Sequence, residues 1–264
     1  MTAATAEKTK AAPATAPAEP TARKAPKGFF DLNSIAPVTA PRKASKKFSA
    51  CIYAPKGVGK TSILGSVSEV EAISPILIMA AEDGTSVLAE TYPNADVVTV
   101  EDYDTAAKII MAVANGETHY KTFAIDTFSE LQELMKDKTT NNGATSMEFK
   151  DWGYIADEST KVAKLLHRTP HVNFLFTSHA EKVKDESTGK MLVSPVFLGK
   201  KSLAEVLKPI DLVLYMNVAK TDSGTMRVLQ TKPDGKNDAA DRTGKLEEYI
   251  EEPTFAKIYA QLTA

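Results

Sequence analysis

The residues best equipped for chemistry form the run Ala54-Pro55-Lys56-Gly57-Val58-Gly59-Lys60-Thr61-Ser62. Its spacing is that of G-x-x-x-x-G-K-[ST], with Ala54 in place of the first glycine. It follows an apolar run, "FSACIYA", and precedes one with helical spacing. Gly57 and Gly59 allow the backbone to fold back so that successive N–H groups converge on phosphate oxygens. Lys60 then stands to contact β- and γ-phosphates, and the Thr61 hydroxyl to hold Mg2+. The expected ligands are ATP and Mg2+.

Hydrolysis at such a loop needs a carboxylate near the metal at the end of a buried strand, and Asp126, closing "FAID", is placed for it. Thr127 follows where a catalytic glutamate often stands, so the general base must come from elsewhere. Glu82, at the end of "PILIMAAE", is the first choice, with Asp83 or Glu130 as alternatives. A further apolar run, "NFLFTSH", ends in Thr177, Ser178 and His179. His179 is either a γ-phosphate sensor or a surface histidine opening the next loop. The stretch after it carries Lys182, Lys184, Lys190, Lys200 and Lys201 with apolar residues between them. Two readings stay open there: a loop that follows a single-stranded nucleic-acid backbone, or a solvated hairpin with "DESTG" as its turn.

These residues need a scaffold that brings strand ends together. Apolar runs of strand length alternate with helix-patterned segments from Lys47 onward. Strands are expected at "FSACIYA", "PILIMAA", "VVTV" (97–100), "KTFAID" and "VNFLFTS", and "DLVLYMNV" and "TMRVLQT" read as a hairpin. Helices are expected over "TSILGSVSEVEA", from near Asp102 or Asp104 to Asn115-Gly116, after a polar loop at 136–152, and at the C-terminus through Phe255, Ile258, Tyr259 and Leu262. The pattern predicts an α/β domain over 47–264 whose mostly parallel sheet is flanked by helices, with an antiparallel hairpin near the C-terminus. Residues 1–28, rich in Ala, Thr, Pro and Lys, are expected to be a disordered tail. Residues 29–46 contain "FFDLNSIAPV", which is either a strap on the domain or a segment that docks on a neighbouring subunit.

The 264 residues carry a net charge of −2, with 43% hydrophobic and 25% charged side chains, so any nucleic-acid contact must come from a local basic surface. The single cysteine, Cys51, excludes a disulfide and a cysteine-based metal site. With no run of membrane-spanning length and no apolar signal core, a cytoplasmic protein without a membrane partner is expected.

The order "APKGVGKT … MAAEDG … FAIDTFSEL … FLFTSHAEKV … QTKPDGKNDAADRTG" resembles the RecA-like P-loop ATPase core, over about 47–262. It is similar, more narrowly, to the phage-encoded AAA-family ATPases of the Sak type, which act in single-strand annealing and recombination. That resemblance implies an ATPase acting on single-stranded DNA in the host cytoplasm. It implies a homo-oligomer with the nucleotide at the subunit interface, and a single-strand-binding protein as a further partner. It assigns water activation to Glu82, the metal-linked aspartate to Asp126, the γ-phosphate sensor to His179 where recombinases usually have glutamine, and DNA contact to 137–152 and 180–200. It also implies a basic residue acting in trans, with Arg242 first and Lys232 and Lys236 next. Lys56 does not match the extra lysine of partition-type ATPases, because Val58 stands where their second glycine would be; it reads as a solvent-facing side chain at the loop tip. An ATP switch without DNA contact is the alternative. A metabolite kinase is disfavoured because 180–200 contains no arginine for a lid.

Overall fold

Strands buried on both faces must be apolar at every position, and this chain has several. The computed structural model describes residues 47–264 except Asp83, 185–188 and Ser223, and before them only Ile35. The chain divides into two units, Met1–Ser45 and Lys46–Ala264. Expectations for 1–28, for 29–46 apart from Ile35, for Asp83 and for the turn at 185–188 lie outside the described residues.

Among the described residues ten strands form: β1 (Ser49–Ala54), β2 (Ile76–Ala80), β3 (Asp96–Thr99), β4 (Thr122–Asp126), β5 (Asn173–Lys184), β6 (Met191–Pro195), β7 (Leu212–Thr221), β8 (Gly224–Gln230), β9 (Ala240–Asp241) and β10 (Tyr249–Glu251). The main order is β10-β8-β7-β1-β5-β4-β2-β3. The run from β7 to β3 is parallel, whereas β8 and β10 add antiparallel strands at one side. Strand β5 therefore lies between β1 and β4. This is an α/β P-loop NTPase architecture.

The helices are α1 (Lys60–Gly65), α2 (Ser86–Thr91), α3 (Tyr103–Ala114), α4 (Phe128–Thr140), α5 (Phe149–Arg168), α6 (Lys200–Leu207) and α7 (Phe255–Thr263). Alternation along the strands divides the core. Ala50, Ile52 and Ala54 of β1 pack with Ile63 and Leu64 of α1, Leu88 of α2, and Phe255 and Ile258 of α7. On the other face Cys51, Phe123, Ile125, Phe174 and Phe176 meet α3, α4, α5 and α6. Each fully buried Phe or Leu there contributes roughly 1.5–3 kcal/mol.

Several elements differ from the sequence pattern. The polar stretch 136–152 is a loop only over 141–148, because the stripe Phe128, Leu131, Met135 carries α4 on to Thr140, where Asn141 takes a left-handed conformation (φ 49°). The helix expected over "TSILGSVSEVEA" stops at Gly65 and becomes a 3-10 turn, Ser66–Glu69. Serine hydroxyls take carbonyls there: Ser66 donates to Ile63 O at 2.7 Å, and Ser68 to Gly65 O at 2.8 Å. Strand β5 does not end at Ser178 but continues to Lys184 and pairs antiparallel with β6, so of the two readings left open for this stretch its strands follow the hairpin. Helices α2 and α6 and the short strands β9 and β10 gave no periodic signal long enough to read.

Gly65 sets how closely α1 approaches α2. A Cβ there would lie 2.6 Å from Leu88 Cδ2 and 2.6 Å from Tyr92 Cδ2. Gly65→Ala gains about 0.5–1 kcal/mol in helix propensity against roughly 1–3 kcal/mol of overpacking. Net destabilisation of about 1 kcal/mol is expected in thermal unfolding, and a stabilised variant would show that α2 moves aside freely.

Candidate functional site

The carboxyl ends of the parallel strands share one edge, where ligands bind in open α/β sheets. Ala54 is in register with His179, and Ala80 with Asp126. The loop from Pro55 to Gly59 turns over this edge, with Gly57 at φ 81° and Gly59 at φ 109°, values that L side chains rarely adopt. Lys56 is exposed at its tip, Val58 is buried beneath it, and Ser62 is half-buried on α1.

Five side chains converge under the loop. Thr61 Oγ1 donates to Asp126 Oδ2 at 2.6 Å, and Thr177 donates to Asp126 Oδ1. Lys60, only 8% exposed, donates to Ala54 O at 3.4 Å and lies 3.3 Å from His179 Nδ1. Burial lowers the pKa of the Lys60 ammonium, while the charges of Asp126 and Glu82 act to raise it. Alternation on β5 explains the cluster: Thr177 and His179 face the loop, whereas Ser178 donates to Val196 O at 2.9 Å on the α4 side. The donors offered to a cation are a hydroxyl and a carboxylate in contact, hard oxygens that fit Mg2+. Thr61 and Asp126 would hold it.

A second group lies above this one. Ligand atoms of Glu82, Glu130 and His179 all fall within 4.8 Å of one another, and His179 Nε2 is 4.0 Å from Glu130 Oε1. Glu82 is exposed two residues beyond the end of β2. The Glu130 carboxyl is pushed above its ordinary range by burial and then by the charge of Glu82, with His179 opposing.

Other residues singled out in the sequence lie away from this cluster. Lys182 and Lys184 are exposed on the outer half of β5, and Lys190 is exposed just before β6. Lys200 and Lys201 open α6. Lys232 and Lys236 are exposed on the segment after β8. Arg242 lies at the amino edge of the sheet, opposite the phosphate loop. Its N–H donates to Asp211 O at 3.0 Å and its guanidinium to Lys208 O at 2.6 Å.

Two features had no sequence signal. Arg227 of β8, a lone arginine in an apolar strand, brings its guanidinium against Gly59. Phe149 and Trp152, in the first turn of α5, are 94% and 40% exposed. Lys138 pairs with Asp104 at the start of α3, so the α4–α5 connection sits by the carboxyl end of β3, on the edge of the phosphate loop. Among the described residues no helix is long and apolar enough to cross a membrane.

Comparison with known proteins gives one family. A profile described as an AAA domain matches residues 46–243. No curated protein matches the chain. Among solved structures, a KaiC-like protein from the hyperthermophilic archaeon Pyrococcus horikoshii OT3 aligns at 13% identity with a TM-score of 0.44, over 80% of this chain and 88% of that one.

Proposed function

The chain belongs to the AAA domain family and is thus a nucleotide-binding ATPase domain, and from that premise we propose that it is a RecA-like ATPase that hydrolyses ATP in response to single-stranded DNA. The observation that carries the DNA part is one strand. β5 runs without interruption from Thr177 and His179, beneath the phosphate loop, to Lys182 and Lys184 on the exposed hairpin.

In this reading the loop N–H groups and Lys60 hold the phosphates, and Glu82 takes the proton of the attacking water. When bound beside Thr61 and Asp126, Mg2+ neutralises charge on the phosphate oxygens. His179 contacts Lys60 and so follows the terminal phosphate, and the stiffness of a hydrogen-bonded strand transmits a shift to the hairpin. The exposed rings of Phe149 and Trp152 on the same edge supply stacking surfaces for bases. A homo-oligomer would place Lys232, Lys236 or Arg242 of one copy toward the nucleotide of the next, with strand annealing or recombination as the reaction class.

The test is ATP turnover with and without oligo-dT, using Lys60→Ala as blank. Several-fold stimulation, with binding that weakens steeply as salt rises, is expected. Turnover indifferent to DNA, with no salt-dependent binding, would leave an ATP switch whose partner is a protein.

A further inference from the structure

The hairpin of β7 and β8 projects past the carboxyl edge. Tyr215 pairs with Tyr53 near the end of β1, and Arg227 pairs with Val218 three residues further out. From that position the Arg227 side chain reaches back to the phosphate loop. A Cβ built on Gly59 would lie 3.2 Å from Arg227 Nη1 and 3.8 Å from its Cδ. The direction in which a side chain would leave Gly59 is thus filled by a guanidinium.

That guanidinium is held from behind. Its Nε and Nη2 donate to Glu252 Oε2 at 3.3 and 3.2 Å, and the Arg227 backbone N–H donates to Glu252 Oε1 at 2.9 Å. The Glu252 N–H returns a bond to Arg227 O at 2.8 Å. Glu252 adopts φ 41°, a left-handed conformation that is unfavourable for a residue with a side chain. The ion pair is about half exposed on both sides (43% and 49%), so it adds little to stability. What the arrangement does fix is the aim of Nη1 at the loop. Nη1 thus adds a cationic donor beside a loop whose glycines suit its N–H groups to phosphate oxygens, while Glu252 takes the donors on the far side of the guanidinium.

We propose that Arg227 is a nucleotide-contacting residue supplied by the same chain, whose guanidinium binds the phosphates of a nucleoside di- or triphosphate in the loop, and that Glu252 competes with those phosphates for it. The inference rests on the nucleotide reading of the loop. It adds a cation that the loop motif does not contain. Glu252 tempers affinity: an exposed carboxylate holds Arg227 loosely enough for a phosphate to draw it away. Because β10 carries Glu251 and Glu252 follows it directly, nucleotide binding is thereby coupled to the edge of the sheet.

Binding of a fluorescent ATP analogue to the full chain tests this. Arg227→Ala should weaken binding about tenfold, Arg227→Lys should recover part of the loss, and Glu252→Gln should tighten it. The glutamine retains an oxygen for the Arg227 N–H and removes only the competing charge. A purely structural pair would move affinity the same way in Arg227→Ala and Glu252→Gln, and that result, or no change in either, overturns the proposal. Thermal unfolding of each variant separates lost contact from lost fold, and the opposite sign expected for Glu252→Gln survives even if Arg227→Ala folds poorly. Lys60→Ala is the independent control: full binding by that variant would overturn the nucleotide reading itself.

Discussion

Glu82→Gln is expected to lower ATP turnover by roughly 10²–10⁴-fold while nucleotide affinity stays close to that of the parent, because a general base acts on the chemical step and not on binding. Among the described residues three acids stand near the phosphate loop, and their surroundings differ. Asp126 is buried and receives two hydroxyls. Glu130 is half-buried, and its carboxyl is raised by burial and by Glu82. Glu82 is exposed, and its charge, like that of Asp126, acts on Lys60. It is thus the most exposed of the three and, with Asp126, one of two whose charge acts on Lys60.

Glu130→Gln serves as the companion. A carboxyl raised above its ordinary 4.5 binds its proton more tightly folded than unfolded. Its ionisation thus opposes folding, absent below the unfolded value and growing as pH rises through the folded one. Glu130→Gln should therefore retain turnover and unfold at a higher temperature than the parent at about pH 8, with that advantage gone at about pH 4. Loss of turnover in Glu130→Gln, with Glu82→Gln active, would transfer the base to Glu130.

Asp126→Asn is the second large effect. Both Asp126 oxygens accept hydroxyl hydrogens, from Thr61 at 2.6 Å and from Thr177. An amide of the same shape keeps one acceptor, turns a donor toward the other hydroxyl and removes the charge that supports Lys60. The expected result is a 10- to 100-fold rise, roughly, in the Mg2+ concentration needed for half-maximal turnover. Binding of nucleotide without Mg2+ should change far less. An unaltered Mg2+ dependence would remove Asp126 from the metal site and leave it a structural acceptor for two threonines.

What the sequence determined by itself was the local chemistry. The loop from Ala54 to Ser62 is contiguous, so the phosphate-loop motif of its glycines, lysine and threonine is visible from spacing alone. The buried strands were legible for the same reason: β1, β2 and β4 are apolar at almost every step, which only a sheet covered on both faces explains. Asp126 was readable because it ends such a run.

Tertiary structure decided everything that depends on where a strand continues or a side chain reaches. Whether "TSHAEKVK" was a loop or a strand turned on pairing with Met191–Pro195, a contact between separate segments that periodicity does not register. The extent of α4 turned on the core into which Leu131 and Met135 pack. Arg242 carries the same charge as Arg227, but chain crossings place the first at the amino edge beside Lys208 and the second against Gly59. A long side chain on a neighbouring strand has no fixed offset in sequence from the loop it touches. Only the assembled sheet, with β7 between β1 and β8, set that distance.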